Sequence, residues 1–241
     1  MFLKKIELSA AFLHQPVKVI FNSPVTIIVG ENGSGKSSFI ESIAAMSQIP
    51  TIGSSRDYTP IVTRLKLVWE SKTRQGFFFS TQTQIQFNHQ LLLNKKELLE
   101  MEGDFADLPE YGKSLAIGAI RGQATQLQNK YGQFHTLSHG EGFLALIKSR
   151  LTTPGLYIID EPEVALSFPS QLQLVSLLKQ KAEIGCQFII ATHSPVVASI
   201  PNAQIFQIKD KQLNQVKFSE IENFCLLKDF LNSPQSFLKH L

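Results

Sequence analysis

The chain has 241 residues, of which 43% are apolar and 18% charged, and its mean hydropathy is +0.01. This composition is that of a globular protein able to bury one large core, and it excludes the disordered, collagen-like and low-complexity classes. Lysine and arginine number 23 against 20 acidic residues, and the resulting net charge of +3 neither requires nor excludes a nucleic-acid partner.

The two cysteines, Cys186 and Cys225, have neither metal-ligand spacing nor the number needed for a disulfide framework, so both are expected to be free thiols in a reducing cytoplasm. The N-terminal segment lacks the apolar stretch of a signal peptide, and no segment approaches the roughly 18 apolar residues of a membrane span. With no internal repeat, linker or long heptad run, residues 1–241 are expected to form one cytoplasmic domain without membrane insertion.

Three short strands are predicted near the start of the chain, over residues 2–8, 17–21 and 25–29. The third is apolar on both faces and leads through glycines into SSFIESIAAM, whose apolar residues recur at helical spacing. This arrangement is half of a parallel βαβ unit. Further strands, LKLVWE and GFFFSTQTQIQF, are predicted within residues 63–87, divided by a turn at residues 71–76.

The middle of the chain, about residues 88–133, reads as short helical pieces with glycines and is predicted to form an inserted lobe, with an outer limit near residue 150. Beyond it, LYIID and QFIIAT are predicted to be buried strands. The helix PSQLQLVSLLKQKAEIG lies between them and is expected to end at Gly185. Strand, helix and strand in this order indicate a parallel sheet.

Two helices are predicted at the C-terminus. The first covers residues 219–231, with Ser219 and Glu222 as a capping box. The second is a short helix that Ser233 caps and Pro234 opens. Both are expected to serve packing.

Residues 30–37, GENGSGKS, satisfy the pattern G-x-x-x-x-G-K-[ST] between a buried strand and a helix. Glycines let the backbone wrap so that successive N–H groups face phosphate oxygens, and the helix N-terminus adds partial positive charge. Lys36 is then placed for the β- and γ-phosphates, and the Ser37 hydroxyl for Mg²⁺. The predicted nucleotide-binding residues of this segment are Gly30, Glu31, Asn32, Gly33, Ser34, Gly35, Lys36, Ser37 and Ser38.

The strand LYIID delivers the carboxylate of Asp160 at its C-terminal end, followed by Glu161. A carboxylate in this position is how nucleotide-binding folds hold the metal and its water shell, so Asp160 is the predicted metal-side acid. Glu161 points elsewhere and is predicted to polarise a water for in-line attack on the γ-phosphate.

Three further segments complete a family pattern: LSHGE at residues 137–141, ALS at residues 165–167 and ATHS at residues 191–194. With GENGSGKSS and LYIIDEPE, they make the chain resemble an ABC-type ATPase domain of the SMC/Rad50-like kind, in the group of stand-alone bacterial ATPases filed under AAA-type names. The resemblance runs along nearly the whole chain. It implies an α/β P-loop NTPase with a mainly parallel sheet core, N-terminal antiparallel strands and an inserted helical lobe, and it implies Mg²⁺-dependent hydrolysis of ATP.

Ser138 and Gly140 lie where this family keeps its signature motif. In the resembling family these groups contact the nucleotide of a second subunit, which implies a head-to-tail homodimer that closes on two ATP molecules. The motif departs from the common Leu-Ser-Gly-Gly-Gln form at His139 and Glu141. The alternative for Ser138 is a simple capped helix start without contact to a partner.

His193 matches the family's switch histidine, which senses the γ-phosphate and steadies the attacking water; the alternative is an ordinary surface histidine. The family also places a glutamine on a middle strand beside Mg²⁺. Gln82 fits that position best among Gln75, Gln82, Gln84 and Gln86, although an alternating strand with a polar face explains the same residues.

An aromatic ring of the N-terminal sheet stacks on adenine in many ABC-type domains, and Phe12 and His14 are the candidates here, with packing as the alternative for either. Arg56 is more simply a solvated charge than a phosphate contact.

The leading functional hypothesis is an ATPase whose cycle of dimer closing and opening drives a separate effector protein or acts on nucleic acid. About 100 residues separate Lys36 from Ser138 without a coiled coil, which excludes long-armed DNA tethering. The alternatives are the energy-coupling subunit of a membrane transporter, for which the signature ending in Glu141 is less suited, and a nucleotide-dependent binding module with vestigial hydrolysis.

Overall fold

The structure, a computed structural model, describes residues 1–52, 62–80 and 139–239. Its strands in these ranges are β1 (Leu3–Ala10), β2 (Val17–Ile20), β3 (Val25–Gly30), β4 (Thr51–Ile52), β5 (Val62–Trp69), β6 (Gly76–Ser80), β7 (Leu156–Asp160), β8 (Gln187–Ala191), β9 (Gln204–Lys209) and β10 (Gln212–Val216). Its α-helices there are α1 (Lys36–Ser47), α2 (His139–Arg150), α3 (Phe168–Glu183), α4 (Pro195–Ala198), α5 (Glu222–Asn232) and α6 (Pro234–Leu238), with 3₁₀ turns at Pro162–Ala165 and Phe218–Glu220.

Seven strands form the central sheet in the order β10-β9-β3-β8-β7-β6-β4. All neighbours in it are parallel except the β9–β10 hairpin. The expected parallel α/β core is thus confirmed, and it explains why β3, β7 and β8 are apolar on both faces: each is covered on both sides. The C-terminal ends of β3, β8 and β7 meet at one edge of the sheet.

The predicted N-terminal antiparallel strands form a second sheet in the order β2-β1-β5. Their apolar side chains, among them Leu3, Ile6 and Val19, join α1 and one face of the central sheet in a buried cluster. The opposite face of the central sheet packs on α3 through Leu174 and Leu178. The described part of the molecule therefore has three layers: the antiparallel sheet with α1, the central sheet, and the helical layer that contains α3.

Two buried glutamines join the two sheets at the end where β8 and β9 begin. The Gln187 side-chain oxygen accepts hydrogen bonds from the backbone N–H groups of Phe2 and Leu3 at 2.8 Å, and its amide nitrogen donates to Leu3 O at 2.8 Å. The Gln204 side chain bonds in the same way: its oxygen accepts a hydrogen bond from Asn22 N at 3.0 Å, and its amide nitrogen donates to Ile20 O at 3.0 Å. Each amide therefore replaces a strand neighbour and satisfies backbone groups that burial would otherwise leave unpaired.

The predicted end of the helix before β8 is confirmed. Gly185 adopts a φ of +98°, its N–H donates to Ala182 O at 3.1 Å, and the Cys186 N–H donates to Lys181 O at 3.0 Å. This pair of bonds is the Schellman motif, which favours glycine because of its left-handed backbone. The chain can then turn directly into β8.

The C-terminal caps are predicted wrongly. Helix α5 begins at Glu222 after the buried Ile221, whose aliphatic side chain has no acceptor to cap it, and Ser219 lies in the preceding 3₁₀ turn. In that turn Glu220 accepts a hydrogen bond from Lys217 N at 2.8 Å. Pro234 does open α6, but the Ser233 hydroxyl pairs with the Ser236 hydroxyl at 2.7 Å instead of capping the backbone.

Residues 88–138 of the predicted inserted lobe lie outside the described residues, as do residues 81–87 of the predicted strand GFFFSTQTQIQF. Residues 139–150 form α2, and Ile147 and the following Leu151 are buried in the cluster beneath the central sheet. The single-domain assignment and the limits of the lobe stay predictions.

Candidate nucleotide site

The phosphate loop, residues 30–37, lies between the C-terminal end of β3 and the N-terminus of α1. Gly33 and Gly35 have φ values of +77° and +100°, which side chains rarely allow. A Cβ on Gly35 would also stand 2.6 Å from the ring of Phe12. The glycines of the motif are thus required by the backbone path. The Ser34 hydroxyl is buried and has no hydrogen-bond partner among the described residues, so the loop carries an unused polar group.

Lys36 opens α1 and is only 4% exposed. Its ammonium group donates to the backbone oxygen of Glu31 at 2.9 Å, across the phosphate loop. Burial lowers the pKa of Lys36, while the negative charges of Glu161, Asp160 and Glu163 oppose that shift. The lysine is therefore held inside the loop in an environment where an anion would relieve the cost of its burial.

Ser37 and Asp160 connect the phosphate loop to the acidic strand. The Ser37 hydroxyl donates to Asp160 Oδ1 at 3.3 Å, and Asp160 is only 3% exposed at the end of β7. Burial, with the neighbouring charge of Glu161, raises the pKa of Asp160 to about 7. A hydroxyl and a buried carboxylate side by side are oxygen ligands of the kind that Mg²⁺ prefers, and a cation there would offset the buried charge.

Glu161 follows directly and has a left-handed backbone with a φ of 48°. Its carboxylate oxygen Oε1 lies 3.5 Å from His193 Nε2, and the side chains of Glu161 and His193 are 18% and 35% exposed. At that separation the contact is electrostatic, and Nε2 has no hydrogen-bond partner among the described residues. The pairing of Asp160 with Ala191 between β7 and β8 is what brings the two residues together.

A pocket beside the phosphate loop is lined by Phe12, Asn32, Gln207, Asp210 and Asn223, among others. The backbone of the other aromatic candidate, His14, donates to Lys211 O at 2.9 Å in the β9–β10 turn, but His14 is absent from the described lining. Of the two candidates, Phe12 is the one that faces the pocket.

Three predicted positions lie outside the described residues: Gln82, Ser138 and Arg56. Ser80, two residues before Gln82, pairs with Asp160 across β6 and β7. Gly140 lies in the first turn of α2. Their predicted roles stay predictions.

Sequence reasoning gave no role to Glu163, Gln171 or Ser194, although Glu163 and Gln171 contact the loop that carries His193 and Ser194 belongs to that loop. Glu163 Oε1 accepts hydrogen bonds from His193 N and Ser194 N, and the Ser194 hydroxyl donates to Gln171 Oε1 at 2.6 Å. The second glutamate of the sequence DEPE was the available signal, because an acid so close to a buried strand end needs donors to offset its charge.

No group of three histidine, cysteine, aspartate or glutamate side chains in the described ranges could hold a metal ion by itself. Within the described residues, no helix has the length and apolar character needed to cross a membrane.

Two family models match parts of the chain. The model described as "AAA domain, putative AbiEii toxin, Type IV TA system" matches residues 141–199, and one described as "AAA domain" matches residues 5–54. Residues 5–54 contain the phosphate loop, and residues 141–199 contain the acidic strand and His193.

Similar proteins cover most of the chain. An "Uncharacterized ABC transporter ATP-binding protein" of Haemophilus influenzae is 26% identical over 90% of this chain and 82% of its own length. The "Macrolide export ATP-binding/permease protein MacB" of Photorhabdus laumondii is 29% identical over 86% of this chain, which spans only 33% of that relative.

Among solved structures, the SMC head domain of Pyrococcus furiosus, bound to the C-terminal domain of ScpA, aligns with a TM-score of 0.50 and 12% identity. The alignment covers 95% of this chain and 99% of that one, and at this identity it shows the fold. These matches show that the chain is similar to AAA domains and to ATP-binding proteins of ABC transporters, and that its fold is that of an SMC head domain.

Proposed function

We propose that the chain binds ATP with Mg²⁺ at the phosphate loop and hydrolyses it slowly as a head-to-tail dimer. The observation that carries the proposal is the hydrogen bond from Ser37 to Asp160, with Glu161 and His193 immediately beside it. That cluster joins a phosphate cradle to a buried acid and to a second, more exposed carboxylate. Phosphoryl transfer needs this combination of charge neutralisation and water positioning.

In the proposed reaction, the loop N–H groups and Lys36 hold the phosphates and neutralise the charge that develops on them. Ser37 and Asp160, together with Gln82, would hold Mg²⁺, which would neutralise negative charge on the phosphates. Glu161 accepts a proton from the attacking water, and His193 orients that water. Phe12 lines the pocket proposed to take the base.

The proposed dimer uses Ser138 and Gly140 of a second copy to contact the phosphate oxygens of the nucleotide. Because two nucleotides would lie at the interface, ATP binding would favour dimerisation by mass action, and each isolated half-site would be a poor catalyst. The cycle of closing and opening would then drive a separate effector protein in the cytoplasm, or act on nucleic acid.

Glu161→Gln tests the hydrolysis step and the dimer together. The variant keeps the shape of the side chain but removes the base, so we expect it to accumulate as an ATP-bound dimer. Size-exclusion chromatography with light scattering, with and without ATP and Mg²⁺, measures this. Glu183→Gln on the exposed end of α3 is the matched control. A Glu161→Gln protein that stays monomeric at saturating ATP would contradict the dimer.

Lys36→Ala tests nucleotide binding itself. Removing the buried ammonium group leaves the loop without its phosphate-facing charge, so we expect ATP binding to be lost in titration calorimetry. Lys179→Ala, at an exposed position of α3, is the control and should bind ATP as the wild type does. Normal binding by Lys36→Ala would show that the nucleotide site is assigned wrongly.

The second candidate function is the energy-coupling subunit of a membrane transporter, and the names of the Haemophilus influenzae and Photorhabdus laumondii relatives favour it. ATP turnover measured alone, with DNA, with RNA and with liposomes separates the candidates. Stimulation by DNA or RNA supports the SMC-like hypothesis, whereas stimulation by liposomes supports the transporter.

A further inference from the structure

The carboxylate of Glu163 connects the two sequence segments that carry the water-handling residues. Its Oε1 accepts hydrogen bonds from the backbone N–H of His193 at 2.5 Å and of Ser194 at 3.2 Å. Glu163 itself belongs to the 3₁₀ turn Pro162–Ala165 that follows Glu161 directly. One side chain therefore ties the end of β7 to the His193 loop, residues 192–194.

Gln171 on α3 makes a second connection between the same segments. Its amide nitrogen donates to Leu166 O at 3.2 Å, just after the 3₁₀ turn, and its oxygen accepts from the Ser194 hydroxyl at 2.6 Å. The Ser194 hydroxyl also accepts from the N–H groups of Val196 and Val197, which start α4. The backbone of the His193 loop is thus held from two sides.

The imidazole of His193 is held differently from its backbone. Nε2 makes no hydrogen bond within the described residues, and its 3.5 Å approach to Glu161 is electrostatic. The ring therefore depends on the loop backbone for its position. Of the two carboxylate contacts, the one from His193 N is the shorter, and Ser194 N shares its proton with Thr192 Oγ1 at 3.0 Å. Glu163 is the main acceptor for the His193 N–H.

We propose that Glu163 is a positioning residue that acts through His193: it fixes the backbone of the His193 loop so that the imidazole stays beside Glu161. This inference rests on the proposed role of His193 in hydrolysis. It requires an acceptor oxygen at the place of Oε1. Oε2 is buried without a partner among the described residues, so replacing Oε2 with an amide group removes no bond.

The geometry makes two conservative variants behave differently. Glu163→Gln keeps the acceptor at full reach, although a neutral oxygen is a weaker partner than a charged one. Glu163→Asp keeps the charge but is one methylene shorter, so its oxygens fall short of the two N–H groups. If the negative charge were what matters, the order of the two variants would be reversed.

Steady-state kinetics test the catalytic part of the proposal. We expect Glu163→Gln to keep kcat within about threefold of the wild type, and Glu163→Asp and Glu163→Ala to lose about tenfold in kcat with KM changed less than about threefold. In a His193→Ala background, Glu163→Ala should lower kcat by less than about twofold further, because the two residues act as one unit.

Hydrogen exchange tests the contact without relying on activity. In the nucleotide-free protein, the His193 amide should exchange about tenfold faster in Glu163→Ala and Glu163→Asp than in the wild type, and Glu163→Gln should restore its protection. Melting temperatures show whether each variant folds. If Glu163→Ala does not fold, Glu163→Asp, which keeps the charge, replaces it in both experiments.

The results separate this inference from the proposed function. If His193→Ala loses turnover but Glu163→Asp has wild-type kcat and exchange, the positioning role is overturned alone. An equal further loss from Glu163→Ala in both backgrounds also overturns it, since the residue then acts independently of His193. If His193→Ala itself keeps wild-type turnover, the proposed role of His193 fails and the positioning role fails with it.

Discussion

Replacing Asp160 with asparagine is expected to stabilise the nucleotide-free protein at neutral and alkaline pH. Burial, with the charge of Glu161, raises the pKa of Asp160 from 3.8 to about 7. A carboxyl whose pKa is higher in the folded state favours folding while it is protonated in both states. Its stability contribution is therefore complete below pH 3.8 and is lost as the pH rises through about 7.

The size of the effect follows from the same two pKa values. Each unit between them corresponds to about 1.4 kcal/mol, which gives about 4 kcal/mol as the largest cost of the ionised carboxylate. Local relaxation around the charge reduces this to about 2–4 kcal/mol. Asparagine has nearly the same shape, carries no charge and still offers an oxygen to Ser37. For a protein of this size we expect a rise in Tm of about 5–15 °C at pH 8.

The assay is thermal unfolding of both proteins at pH 5, 6.5 and 8, with a chelator present and nucleotide absent. The difference in Tm between Asp160→Asn and the wild type at pH 5 should be less than half of the difference at pH 8, because the Asp160 carboxyl of the folded protein is protonated at pH 5. Asp229→Asn on the exposed side of α5 is the control. A gap that is equal at all three pH values, or a less stable Asp160→Asn protein at pH 8, would refute the reasoning.

Three further substitutions test other parts of the structure. Gly35→Ala places a methyl group against the ring of Phe12 at a residue whose φ is +100°. We expect the ATP affinity measured by calorimetry to fall at least about tenfold and the free energy of unfolding to fall by about 1–3 kcal/mol. Wild-type affinity would contradict the loop geometry. Tyr157→Phe removes the hydroxyl that donates to Thr153 O at 2.5 Å, and urea unfolding should show a loss of about 1 kcal/mol. Gly185→Ala, at a φ of +98°, should lower the free energy of unfolding in urea by about 1 kcal/mol; an unchanged free energy would show that the helix end tolerates a side chain.

The core of the fold was predictable because its signals are local. Strands buried on both faces must be apolar throughout, and Gly185 must follow a helix that turns sharply into the next strand. The phosphate loop is similarly local, since its glycines and Lys36 lie within residues 30–36. Asp160 was predictable for the same reason, because it directly follows the apolar residues of its strand.

The contacts that join distant segments were not predictable from the sequence. The two N–H groups bound by Glu163 are 30 and 31 residues away, and their positions depend on the register between β7 and β8. The C-terminal caps failed for a related reason: burial of Ile221 decides where α5 begins, and that burial comes from packing. Propensity and capping patterns do not contain this information.

The bonds that the side-chain amides of Gln187 and Gln204 make to β1, β2 and the residues beside them all go to main-chain atoms, and Gln204 also donates to Gln215 Oε1 at 3.3 Å. Main-chain atoms are the same whatever residue carries them, so these two attachments do not depend on which side chains β1 and β2 bear. Side chains on the outward face of that sheet can consequently change without weakening these two attachments to the central sheet, which carries the nucleotide site.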